Sequence, residues 1–123
     1  MPAELPSQVY AILGENCYQR FVDFSKWPDG WDHGAGREVA WATYANLLSF
    51  LSTARFRTGL PPSLFLTNEG HFEINWDAKD HSDLTITLSP SGAHFFNGAD
   101  ETEVNCSPEE LERLGLFVRN LTF

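Results

Sequence analysis

Apolar positions along the chain follow two periods. From Ser7 to about Lys26, Val9, Ile12, Leu13, Cys17, Phe21 and Phe24 recur at three- and four-residue spacing. This predicts one amphipathic helix with Ser7 as its N-cap, weakened modestly by Gly14. Arg37 to about Phe56 predicts a second helix, carried by Val39, Ala40, Tyr44, Leu47, Leu48, Leu51 and Ala54 and stopped by Gly59 and Pro61-Pro62. Between the two, Trp27 to Gly36 reads as a loop, because Pro28 and three glycines favour turns. Two tryptophans, Trp27 and Trp31, are unexpected in a stretch that should be solvated.

After Pro62 the period becomes two. Leu64–Thr67 is a strand, and Asn68-Glu69-Gly70 a tight turn. In His71–Trp76, Phe72, Ile74 and Trp76 share one face, with His71, Glu73 and Asn75 on the other. Asp77–Asp83 is a polar loop. In Asp83–Leu88, Leu84, Ile86 and Leu88 point inward and Thr85 and Thr87 outward; Ser89-Pro90-Ser91-Gly92 turns the chain into Ala93–Phe96. The pattern predicts an antiparallel meander with one polar face. Asn97–Glu103 is an acidic connection, and Val104–Cys106 at most a short extended piece. Ser107 as N-cap, Pro108 at the first helical position and Glu110 completing a capping box start a last helix, with Leu111, Leu114, Phe117 and Val118 as its stripe. The expected fold class is α+β: two N-terminal helices packed on a four-stranded antiparallel meander, closed by a C-terminal helix.

With 123 residues, the chain fits one domain spanning 1–123, and 42% hydrophobic residues suffice for a core. Its longest apolar stretch, Ala45–Leu51, is too short for a bilayer, and the N-terminus lacks the basic and apolar segments of a secretory leader. Cys17 and Cys106 read as free thiols of a cytoplasmic protein rather than a disulfide scaffold.

The formal net charge of −9 is distributed unevenly. Residues 1–68 are nearly balanced. Residues 69–112 hold Glu69, Glu73, Asp77, Asp80, Asp83, Asp100, Glu101, Glu103, Glu109, Glu110 and Glu112 against Lys79 alone. Such a surface repels a phosphate backbone and attracts a basic protein; it also serves solubility.

Motifs for chemistry are missing. The histidines His33, His71, His81 and His94 form no ligand pair, and Asp77-x-x-Asp80-His81-x-Asp83 matches no metal signature. There is no nucleophile elbow, and the glycines of Gly30–Gly36 follow a helix, without the Lys-Ser/Thr ending of a phosphate loop. No catalytic residue, metal or cofactor is implied.

Trp31-Asp32-His33-Gly34-Ala35-Gly36, Pro61-Pro62, Thr67 to Trp76 and Leu84–Leu88 together resemble a group of short uncharacterised bacterial and phage proteins. That group has a WDGYGA-type loop and a P-T-x-D-G-x-I-x-L-E-W-type hairpin. The likeness covers roughly residues 27–96. His33-Gly34 departs from the first motif, and Asn75 stands where an acidic residue is usual. The resemblance implies a defence, toxin or mobile-element setting and an interaction role.

Two readings follow. The first is an acidic protein-binding inhibitor or neutraliser: an immunity protein, an antitoxin, or a phage anti-defence (anti-CRISPR-like) protein. It would occlude a basic surface of a nuclease or nucleic-acid-handling complex, with Glu73, Asp77, Asp80, Asp83, Asp100, Glu101 and Glu103 steering the partner and Trp27 and Trp31 as a desolvated anchor. Mimicry of phosphates by Asp100–Glu112 is one form of it. The alternative is a small-molecule-binding domain or enzyme with a pocket under the sheet, lined by Trp31, Tyr44, Trp76, His94 and Phe96. Neither needs direct nucleic-acid or membrane contact, and an exposed meander edge leaves room for a homodimer.

Overall fold

A computed structural model describes residues 1–57 and 59–122. The chain runs α1 (Leu5–Leu13), α2 (Glu15–Ser25), α3 (Trp41–Leu51), β1 (Ser63–Leu66), β2 (Phe72–Asp77), β3 (Asp83–Ser89), β4 (Gly92–Asn97), β5 (Thr102–Cys106), a 3-10 turn (Pro108–Glu110) and α4 (Leu111–Thr122). The strands form one antiparallel sheet in the order β1-β2-β3-β4-β5. The α+β class and the meander agree with the sequence reading. The strand count does not: Thr102–Cys106 is a full fifth strand, paired to β4 from Asn97↔Thr102 to Ala93↔Cys106.

The period-two alternation sets which face is covered. Leu64, Phe72, Ile74, Trp76, Leu84, Ile86, Leu88, Ala93 and Phe95 are buried beneath the helices. Helix positions Leu5, Val9, Leu13, Phe21, Leu47, Phe50, Leu51, Leu111 and Val118 complete this core. Phe21 of α2 meets Phe72 of β2 at 5.6 Å between ring centroids, and Tyr44 of α3 meets Phe72 at 5.8 Å, so one aromatic cluster joins two helices to the sheet. Asn46 Nδ2 donates to Ser89 O at 2.8 Å, fixing α3 to the β3–β4 turn.

Several helix boundaries differ from the expectation. The first predicted helix is two, because Gly14 adopts φ 94°, ψ 174°, a conformation closed to most side chains. The start lies at Leu5 rather than after Ser7, whose hydroxyl instead donates back to Glu4 O at 2.9 Å. The second predicted helix begins only at Trp41. Its proposed first residues are extended, because Arg37 N donates to Asn68 O (2.8 Å) and Glu38 N to Asp29 Oδ1 (2.8 Å). It also ends five residues early, at Leu51. At the last helix Ser107 and Glu110 interact as expected: Glu110 Oε1 accepts from Ser107 N at 2.9 Å and from its hydroxyl at 3.0 Å. Phe117, placed in the buried stripe by spacing, is 48% exposed.

Candidate interaction surface

The helices cover one face of the sheet, leaving the other to the residues that alternate outward. The strand register arranges these in rows: Phe65, Glu73, Thr87, His94 and Asn105 form one, Ser63, Asn75, Thr85, Phe96 and Glu103 the next, and Asp77 and Asp83 face each other at the end of the β2–β3 ladder. Four of the predicted acidic residues, Glu73, Asp77, Asp83 and Glu103, therefore lie on one open surface. A polar ladder orders its middle: Thr85 Oγ1 donates to Asn75 Oδ1 at 2.5 Å, and Asn75 Nδ2 to Glu73 Oε1 at 3.3 Å. Asp77 directly opposite Asp83 is a like-charge pair, which disfavours the folded sheet.

The remaining acidic candidates occupy hairpin tips. The β2–β3 and β4–β5 hairpins close at the same end of the sheet, which brings Asp80 beside Asp100 and Glu101. Asp80 accepts from the Ser82 hydroxyl (2.5 Å) and backbone N–H (3.0 Å), and these bonds hold its carboxyl below the usual carboxylate range. The Thr102 hydroxyl and N–H lower Asp100 in the same way, while the nearby Asp80 charge opposes that shift. Hydrogen bonding to the ionised form thus keeps both charged. Among the described residues no lysine or arginine lies within 4.0 Å of a carboxylate; the two ion-pair contacts are His71–Glu69 (3.7 Å) and His94–Glu103 (3.9 Å). Three of the arginines instead hold backbone carbonyls: Arg20 that of Leu64, Arg55 that of Ala54, Arg119 that of Thr53.

Trp27 and Trp31 are not part of this surface. Their loop packs on the β1–β2 turn, through Arg37 N to Asn68 O, at the opposite end of the sheet from the acidic tips. The tryptophan loop and the acidic hairpin tips are therefore not brought together. The loop is closed on itself: Trp31 Nε1 donates to Arg37 O at 2.7 Å, Gly30 N to Gly36 O at 2.8 Å, and Trp27 packs edge-to-face on Phe24 and tilted against Trp31, with centroids 5.0 and 4.8 Å apart. Trp31 thereby caps the loop, although Trp27 stays 37% exposed. A Cβ on Gly36 would overlap the Trp31 indole. Gly36→Ala should therefore expel Trp31 from its seat. The expected result is a red-shifted, more quenchable tryptophan emission with the sheet's circular dichroism retained; an unchanged spectrum would show that the indole is not held there.

Nor do the five proposed pocket residues converge. Tyr44 and Trp76 are buried in the core, His94 and Phe96 stand on the open face, and Trp31 lies in the distant loop. Concavities on the described surface are open grooves, such as one lined by Pro61, Ser63, Asn75, Asp77, Asp83 and Thr85. Cys17 is a free, buried thiol whose pKa burial raises; Cys106 is also free. Among the described residues no three metal-ligating side chains cluster, and no helix is long and apolar enough to cross a membrane. Val104 and Asn105, which spacing alone did not single out, are exposed along the β5 side of the sheet, as is Phe117, which spacing places in the buried stripe. Comparison of the chain with protein-family models, curated proteins and solved structures finds no match.

Proposed function

We propose that this protein binds and neutralises a basic protein surface, that of a nuclease or another nucleic-acid-handling complex, by covering it with the open face of the sheet. The observation that carries this reading is the gathering of Glu73, Asp77, Asp83 and Glu103 on one face, with Asp80, Asp100 and Glu101 at its rim and no lysine or arginine paired to any of them among the described residues. Carboxylates with no lysine or arginine beside them, on a surface without helices, keep much of their field for a partner, and they repel nucleic acid itself. An immunity protein, an antitoxin and a phage inhibitor of a host defence complex all fit this description.

Capture by the tagged protein from host lysate, washed at low and at high salt, tests the reading. One basic protein, retained at low salt and released at high salt, is the expected result, because exposed charge pairs are screened within about 10 Å at 0.1 M salt. Retention of acidic or membrane proteins alone would overturn it.

A further inference from the structure

The two edges of the sheet differ. Thr67 N donates to His71 O at 2.9 Å, so alternation along β1 turns the carbonyls of Pro62 and Leu64 outward. Both are occupied by α2: Cys17 Sγ donates to Pro62 O and Arg20 Nη1 to Leu64 O, each at 3.1 Å. Along Pro62–Leu64 the β1 edge is thus covered by α2.

The β5 edge is open. Gly98 N donates to Asp83 O at 2.8 Å, which makes that pair hydrogen-bonded and, by alternation, directs the backbones of His94 and Phe96 to β3 and those of Ala93, Phe95 and Asn97 to β5. The partners Thr102, Val104 and Cys106 then turn their backbone groups inward to β4, leaving the N–H and C=O of Glu103 and Asn105 facing outward. Both residues are exposed. Beside this edge, on the helix side, lies a mainly apolar groove of about 300 Å³ between β5 and α4, lined by Phe95, Val104, Cys106, Leu114 and Phe117, with Glu110 and Arg113 also in its lining. Val104 and Phe117 are 44% and 48% exposed there.

Resting on the reading given under Proposed function, we infer that the β5 edge receives an extended segment of the basic partner as a sixth strand, in which an apolar residue is flanked by lysine or arginine. Bare strand edges are templates for strand addition, where main-chain bonds give affinity and alternate side chains give specificity. The alternation assigns the faces. Partner residues bonded to Glu103 and Asn105 share the open face, where Glu103, Asp100 and Glu101 favour a cation. The residue between them, opposite Val104, points into the groove and is apolar. The net charge of −9 disfavours a second copy of this chain as the occupant, since like charge opposes self-association.

The test uses an acetylated, amidated heptapeptide, Lys-Ile-Lys-Val-Lys-Ile-Lys, and a control of the same sequence N-methylated at the lysines, which keeps the charge and removes the main-chain donors. Binding is followed by amide NMR. The expected result is at least tenfold tighter binding of the unmodified peptide, with shifts and slowed hydrogen exchange at Glu103 and Asn105. Asn105→Pro, which removes only an outward N–H and so suits an edge strand, should reduce binding to the control level. A Glu73→Lys, Asp77→Lys variant, away from the edge, should weaken both peptides equally. Equal binding of the two peptides, or indifference to Asn105→Pro, overturns strand addition. If the Glu73 and Asp77 changes still weaken both, the electrostatic reading survives; if they do not, it fails as well. Sedimentation showing a dimer that Asn105→Pro makes monomeric would also overturn the inference, by giving the edge to a second copy.

Discussion

Changing Glu73, Asp77, Asp83 and Glu103 together to lysine is expected to abolish binding of the basic partner and leave the fold in place. All four side chains project from the face that no helix covers, and none contributes to the core. The substitution replaces attraction with like-charge contact, which costs several kcal/mol across an interface. A loss of about a hundredfold or more at low salt is therefore expected, shrinking as salt rises. The corresponding Gln and Asn variants should fall between wild type and the lysine variant, because they remove attraction without adding repulsion. Calorimetric titration at two salt concentrations checks this, with thermal melts as the control for folding. Wild-type affinity in the lysine variant would remove the acidic face from the function.

Phe72→Ala is expected to have the largest effect on stability. Phe72 is fully buried, and its ring packs against both Phe21 of α2 and Tyr44 of α3. Truncating a buried phenylalanine costs about 3–5 kcal/mol, from lost transfer energy and the cavity left behind. Domains of this size have a total stability of about 5–15 kcal/mol, so the variant should be marginally folded. Urea unfolding should show a much lower midpoint with a similar slope. Phe65→Ala provides the contrast. Phe65 sits on the open face, 40% exposed, with the Arg20 guanidinium 5.0 Å from its ring centroid. Losing that contact should cost about 1 kcal/mol or less. Equal costs at the two positions would mean that the covered and open faces had been assigned the wrong way round.

Alternation made the sheet legible. In Phe72–Trp76 and Leu84–Leu88 the inward set is all apolar and the outward set polar, so local sequence and tertiary burial agree. Of the fifth strand only a short extended piece at Val104–Cys106 is legible, because Thr102–Cys106 has a single clear apolar residue, Val104, and is held by its pairing with β4 rather than by any pattern of its own. The break at Gly14 is also hard to foresee. A glycine within a helical stripe is tolerated at modest cost, and only the observed positive φ separates a weak point from a boundary. The extended start before Trp41 depends on bonds from residues 37 and 38 to Asn68 and Asp29, which no helical period contains. For the surface, counting charges located the acidic half, and the outward positions of Glu73 and Asn75 followed from alternation. What no spacing along the chain encodes is that the tryptophan loop lies at one end of the sheet and the acidic hairpin tips at the other. That separation follows from the direction in which each hairpin closes.

The covering of the Pro62–Leu64 stretch by Cys17 and Arg20 has a consequence for stoichiometry. A sheet open on both sides can pass a growing ladder from molecule to molecule, and strand addition then leads towards fibres. Here a strand added at β5 meets a far edge that α2 obstructs, so propagation beyond one event is disfavoured. A one-to-one complex of defined size, rather than a polymer, is the assembly this arrangement favours.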